Sequence, residues 1–159
     1  MFKRYKISVI GLGYVGLPLA TSLSHSYNVI GFDINKERVK EILLNNDKTG
    51  EVDTSTLHSS SLTVTENTDN IQDSDIYIIT VPTPIDSKNI PDLNAVFEAS
   101  RLVGKSMKKG SIVVYESTVY PGVTEEECGP LLQNVSGLIC GKDFWLGYSP
   151  ERINPGDKK

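Results

Sequence analysis

A chain of 159 residues with 38% hydrophobic content holds one well-packed domain and is too short for two ordinary ones. Its net charge of −4, with the lysines scattered along it, argues against a nucleic-acid partner. Cys128 and Cys140 are accompanied by only two imidazoles, His25 and His58, so neither a zinc cluster nor a disulfide framework is indicated; both cysteines read as buried thiols of a reducing, cytoplasmic compartment.

Lys3, Arg4 and Lys6 ahead of an apolar run to Ala20 imitate a secretory leader. The run carries three glycines and Pro18, however, and removing it would delete the first strand of an otherwise regular fold. That strand, Lys6 to Ile10, leads into Gly11-Leu12-Gly13-Tyr14-Val15-Gly16 and a helix from Val15 to Ser24. The pattern G-x-G-x-x-G between a strand and a helix is a dinucleotide fingerprint. Gly11 permits the tight turn, Gly13 lets the backbone approach a pyrophosphate, and Gly16 lets the helix pack on the sheet. Free N–H groups and the helix dipole hold the anion, in a segment with no Lys or Arg between Lys6 and Lys36.

A second strand, Asn28 to Phe32, is closed by Asp33, where a carboxylate holds a ribose diol. Asp33 favours NAD over NADP, because a 2′-phosphate would meet its charge at close range. Arg38 either offsets this by offering a cation to a phosphate, or flanks the adenosine, or caps nothing. Asn35 caps a second helix with Val39, Ile42 and Leu43 on one face. Asp47 to Ser61 is polar and weakly periodic, a loop with a short helix.

Strands from Leu62 to Thr65 and Ile76 to Val81 follow. Asp92 caps a third helix that turns Leu93, Val96, Phe97, Val103 and Met107 inward and ends in a cationic last turn, Lys108 and Lys109, with Gly110 as its stop. After a strand from Ser111 to Tyr115, Thr124 and Glu127 form a capping box opening a fourth helix through Val135, which makes the three glutamates there helix-start charges. A strand from Phe144 to Tyr148 is the last, and Pro155 to Lys159 is a turn. The sequon Asn134-Val135-Ser136 is an accidental match, and no run is long and apolar enough to span a bilayer. Alternating strands and helices predict an α/β fold: a Rossmann-type, doubly wound, mostly parallel sheet of about six strands with helices on both faces.

In such sheets ligands bind outside the carboxyl ends of the strands. Gly11 to Gly16, Asp33, Val81-Pro82-Thr83-Pro84, Glu116-Ser117-Thr118 and Ser149-Pro150-Glu151-Arg152 all follow strands, so five loops converge on one rim. Thr83 and Thr118 either hydrogen-bond a cofactor or water, or close local turns on their own backbone. Glu151 is either a general base beyond the last strand or half of a solvated pair with Arg152.

The wording of these loops is specific. Gly11-Leu12-Gly13-Tyr14-Val15-Gly16-Leu17-Pro18, Val81-Pro82-Thr83-Pro84, Tyr115-Glu116-Ser117-Thr118-Val119-Tyr120-Pro121-Gly122 and Tyr148-Ser149-Pro150-Glu151-Arg152-Ile153-Asn154-Pro155-Gly156 resemble the UDP-glucose/GDP-mannose dehydrogenase family from end to end. Within it the chain is similar to the bacterial UDP-N-acetylglucosamine and UDP-N-acetylgalactosamine 6-dehydrogenases of capsule and O-antigen synthesis, the Vi-antigen type. The UDP-glucose branch tends to carry Phe-Leu where this chain has Arg152-Ile153.

That resemblance implies oxidation of a sugar C6 alcohol to the uronate with two NAD, through an aldehyde trapped by a cysteine and a thioester opened by water. By matching position it implies that Tyr14, Val15, Asp33, Arg38, Thr83 and Thr118 touch NAD and that Thr118 also helps hold the catalytic water. Glu151 is then the base for thioester hydrolysis, and Arg152 and Ile153 line the sugar-nucleotide site. A base of this kind needs a raised pKa, which burial under substrate favours.

The family's nucleophilic cysteine, with its lysine and asparagine helpers, lies in a central and C-terminal region outside this segment, and neither Cys128 nor Cys140 has its glycine-rich context. Residues 1–159 are therefore expected to be the NAD-binding domain of a longer enzyme, inactive alone and homodimeric when complete, acting on a UDP-N-acetylhexosamine. The alternatives are a stand-alone NAD-binding regulatory module, a different hydroxyacid dehydrogenase, or the NAD domain of a UDP-glucose, UDP-N-acetylmannosamine or GDP-mannose dehydrogenase.

Overall fold

Short β-branched runs form the centre of the molecule. A computed structural model describes residues 5–85 and 91–150. It places β1 (Lys6–Ile10), β2 (Asn28–Phe32), β3 (Thr63–Thr65), β4 (Ile76–Ile79), β5 (Ile112–Tyr115) and β6 (Trp145–Tyr148) in one sheet. All five pairings are parallel, in the order β3-β2-β1-β4-β5-β6. The expected strands are all present, with ends trimmed by one or two residues, chiefly at β4, which stops before Thr80 and Val81.

Both faces of the sheet are covered, which is why its central strands, Lys6 and the buried Ser8 apart, read as apolar runs instead of alternating. On one face Ile7, Val9 and Val29 pack with Leu12, Leu17 and Ala20 and with Ile42 and Leu57. On the other, Ile10, Ile30, Phe32, Tyr77 and Ile79 pack with Val96, Val103, Leu132 and Phe144. Helices α1 (Gly16–Ser24), α2 (Lys36–Leu43) and α3 (Thr54–Ser59) serve the first core; α4 (Asn94–Ser106) and α5 (Gly129–Ser136) serve the second. The strand order reverses between β1 and β4, so chain leaving their carboxyl ends departs to opposite sides and opens a crevice there.

Several local expectations are met by the side chains themselves. Asn35 caps α2, accepting from the amides of Glu37 and Arg38. Asp92 accepts from the Asn94 amide at 2.9 Å, one residue ahead of the formal cap, Leu93. Others are corrected. Leu43 is 62% exposed, because α2 is short and only Val39 and Ile42 lie on its inward stripe. Lys108 and Lys109 lie beyond the end of α4 and pair with Asp75 and Asp143.

The capping box is absent. Gly122, at φ 96°, starts a helical segment at Val123, so Thr124 falls inside the first turn and is buried. Glu127 instead accepts the Tyr120 hydroxyl at 2.7 Å. Val123–Cys128 winds with π-type bonding before α5, next to Pro130, which has no N–H to return to the preceding turn. Among the described residues no helix is long and apolar enough to cross a membrane.

Candidate coenzyme site

The loop after β1 is fixed from beneath. The Gly11 amide donates to the Phe32 carbonyl at 2.8 Å, tying the turn to the end of β2. Leu12 is fully buried and packs against Gly31. The Thr80 hydroxyl lies within hydrogen-bond reach of the carbonyls of Ile10, at 3.1 Å, and Gly11, at 2.7 Å, locking β4 to the turn. A Cβ on Gly16 would lie 1.9 Å from the Gly11 carbonyl oxygen and 2.5 Å from Thr80 Oγ1, so the start of α1 admits no side chain there.

Gly13 is the opposite case. It has no positive φ, and a Cβ added to it meets no atom within 4 Å. Every other glycine among the described residues either has a positive φ or would bring an added Cβ into contact with a neighbour. The polypeptide itself makes no demand for glycine at this position, and the open space faces the start of α1, whose cap residue Val15 supplies no side-chain hydrogen bond. The first amides of a helix have no intrahelical partner, so this is a place for an anion that needs close backbone approach.

Asp33 stands beside it, half-buried. Its Oδ2 accepts from the Leu12 amide at 2.8 Å and its Oδ1 from the Asn35 amide at 2.8 Å. Arg38 grips the same residue from its other end, donating from Nε to the Leu12 carbonyl at 2.7 Å. Its two terminal nitrogens are taken by Glu41 Oε1 and Asp47 Oδ1, each at 2.7 Å. The Asp47 side chain is fully buried and also accepts from the amides of Thr49, Glu51 and Val52. Burial alone would raise the pKa of both acids. In Glu41 the Lys48 amide and the Arg38 charge outweigh burial, and in Asp47 the donors from Thr49, Val52 and Arg38 do, leaving both below their ordinary values.

The ends of β4, β5 and β6 complete the rim. Gly13, Tyr14, Val15, Thr80, Thr83, Glu116 and Thr118 are among the residues lining a cleft of about 160 Å³. The Thr83 hydroxyl donates to the Thr118 carbonyl at 2.6 Å, that of Ser117 to the Val81 carbonyl at 2.6 Å, and that of Ser149 to Glu116 at 3.0 Å. Thr83 thus spans two loops instead of closing its own turn.

Of the residues expected at the site, Gly13, Tyr14, Val15, Thr83 and Thr118 meet in this cleft, while Gly11, Gly16 and Asp33 frame its loop. Val15, though buried, is among the residues that line the cleft. Arg38 lies under the loop. Glu151, Arg152 and Ile153, and the turn from Pro155 to Lys159, lie outside the described residues. Cys128 is buried, its thiol pKa raised by burial; Cys140 is only half-buried, a correction. Thr80, Glu41 and Asp47 were not anticipated. The Asp47-Lys48-Thr49-Gly50 turn signature alone points to Asp47.

Residues 5–158 match the UDP-glucose/GDP-mannose dehydrogenase family, NAD binding domain. The chain belongs to this family. It is 56% identical over 152 residues to Protein CapL of Staphylococcus aureus, covering 96% of this chain and 36% of that protein. It is 52% identical over 158 residues to the UDP-N-acetyl-D-glucosamine 6-dehydrogenase of Pseudomonas aeruginosa, covering 99% of this chain and 37% of the relative. Its fold superposes with a TM-score of 0.85, at 38% identity, on the UDP-D-ManNAc dehydrogenase of Pyrococcus horikoshii, covering 95% of this chain and 37% of that one. The chain thus spans little more than a third of the length of these proteins. The dinucleotide is NAD, and the residues present fit it: an uncapped helix start, an open approach at Gly13 and a carboxylate at the end of β2.

Proposed function

We propose that this chain is the NAD-binding domain, residues 1–159, of a cytoplasmic UDP-N-acetylhexosamine 6-dehydrogenase that converts the C6 alcohol of its sugar to the carboxylate for surface polysaccharide synthesis. The observation that carries the coenzyme part is the unfilled space over Gly13 beside the uncapped start of α1. The sugar part is supported by the 52% identity to a protein named for that reaction. NAD supplies the hydride acceptor.

The chain's own residues have three tasks. The amides from Gly13 to Gly16 bind the diphosphate, and Asp33, already held by two backbone amides, presents its remaining lone pairs to the adenosine ribose. Thr83 and Thr118, bonded to each other across the ends of β4 and β5, bound the far end of the cleft, where Thr118 orients a water. Glu151 is the base that takes a proton from that water, and Arg152 and Ile153 contact the sugar nucleotide, roles assigned through the Pro-Glu-Arg-Ile motif. The nucleophilic cysteine and the dimer contact belong to the rest of the enzyme.

Substitution of Gly13→Ala separates this function from the fold. Because the added methyl meets nothing and restricts the unfolded chain, stability stays level or rises by up to about 1 kcal/mol. Because the methyl occupies the diphosphate approach, the dissociation constant for NAD rises by about tenfold or more. Calorimetry and thermal melting of the variant check both, and unchanged NAD affinity would overturn the reading.

A further inference from the structure

Arg38 carries a positive charge beside a coenzyme pocket, five residues after the carboxylate that would clasp the ribose. Asp33 and Arg38 hold one residue, Leu12, at its amide and its carbonyl. The backbone of one residue separates the guanidinium from the carboxylate assigned to the ribose. Left free, the guanidinium would attract a 2′-phosphate and erode the preference that Asp33 sets, because arginine forms short, paired hydrogen bonds to phosphate.

It is not free. Nε is on the Leu12 carbonyl, Nη1 on Glu41 and Nη2 on Asp47, all at 2.7 Å, and the side chain is only 11% exposed. Two carboxylates face one guanidinium, and among the described residues the other cation paired with them is Lys48, 3.5 Å from Glu41 with its own side chain 74% exposed. Asp47 is fixed in turn by the amides of Thr49, Glu51 and Val52, so the acid is part of a rigid turn and does not follow the arginine if it moves.

We propose that Glu41 and Asp47 are specificity-determining positioning residues: by pinning Arg38 to the underside of the glycine loop they withhold its charge from a 2′-phosphate and keep the domain selective for NAD over NADP. This rests on the assignment of the coenzyme site above and goes beyond it, since neither acid lines the cleft. It also explains why an arginine here is compatible with NAD: its task is to hold the loop from below.

The test compares coenzymes, because NAD and NADP differ only in the 2′-phosphate. A merely structural role for the two acids weakens both alike and leaves their ratio unchanged. Binding of NAD and NADP to the 159-residue chain is measured by calorimetry for wild type, Glu41→Gln, Asp47→Asn and the double variant, with circular dichroism melts to establish folding. The double variant is expected to shift the NADP-to-NAD affinity ratio toward NADP by about tenfold or more, the scale of one released charge-assisted hydrogen bond. Adding Arg38→Ala should abolish the shift.

If Asp47→Asn does not fold, Glu41→Gln decides alone, since it leaves the bonds of Asp47 to the Thr49, Glu51 and Val52 amides in place and an amide oxygen can still accept from the Lys48 amide. An unchanged ratio in a folded variant overturns the proposal while leaving the site assignment standing, as does a shift that survives Arg38→Ala. Failure of the folded wild-type chain to bind NAD overturns the site assignment and the proposal together.

Discussion

Gly13 and Gly16 stand three residues apart in one motif, yet the reasons for them are unrelated. At Gly16 the neighbouring atoms forbid a Cβ, with backbone oxygen at 1.9 Å and a threonine hydroxyl at 2.5 Å. At Gly13 nothing does. Gly16→Ala is therefore expected to cost at least about 3 kcal/mol of stability, the upper range for overpacking, because the atom in the way is backbone and cannot rotate aside. Chemical denaturation checks this, and a loss below about 1 kcal/mol, the minor end of that range, would mean that α1 shifts to accommodate the methyl. The same scale shows what a sequence withholds. Asp33 was legible because its spacing from the fingerprint has a meaning; the commitment of Arg38 was not, because its partner Asp47 arrives through a turn nine residues away and no local rule links the two.

At the scale of elements, strands were read well because their apolar runs are short and bounded, and all six appear with the sheet parallel throughout. Helix starts were read less well. Asn35 caps as its residue type suggests, but the Thr124 and Glu127 pair fails, since Gly122 in the left-handed region begins the helical segment earlier and turns Thr124 into a core residue. A capping box is defined by spacing alone, and spacing does not say where the chain begins to wind.

The packing of α4 against α5 was equally invisible, because it depends on a glycine in mid-helix. A Cβ on Gly104 would lie 3.0 Å from both Cβ and Cγ1 of Val135. Alanine there gains about 1 kcal/mol of helix propensity but forces the two helices apart, which costs about 1–3 kcal/mol. Gly104→Ala is expected to be net destabilising alone and less so in a Val135→Ala background, where Cγ1 is gone but Cβ still stands 3.0 Å from the new methyl. A double-mutant cycle by thermal denaturation reads this coupling, and additive effects would show that the two positions do not meet.

The whole molecule carries its sensitivity to acid in carboxylates held below their ordinary values. Burial works against ionisation of Glu41 and Asp47, and the amides and Arg38 around them overcome it. For Asp143 the Lys109 side chain is the leading cause, and for Asp53 the hydroxyls of Ser55 and Thr56 are. The sign follows from linkage. A group whose folded pKa is depressed binds fewer protons when folded than when unfolded, so its stabilisation is complete above its unfolded value and is lost as pH falls through the folded one. The unfolded references are 4.5 for Glu41 and 3.8 for Asp47, so stability contributed by this cluster is expected to be level above about pH 5 and to fall progressively below pH 4.5.

Other carboxylates fall in the same direction, and the wild-type curve alone does not separate them. The variant pair Glu41→Gln and Asp47→Asn does, because amides bind no proton in this range. Such a chain is expected to start less stable at neutral pH, with Arg38 no longer paired to a charge, and to lose less on acidification, so that its urea midpoint plotted against pH has a shallower acid limb and approaches wild type only as pH falls through the lowered folded values of the two acids. Parallel curves would mean that the two acids are protonated equally in both states. In that case both acids would still be ionised at neutral pH, but Arg38 and the surrounding amides would only offset the cost of their burial and add no stability of their own.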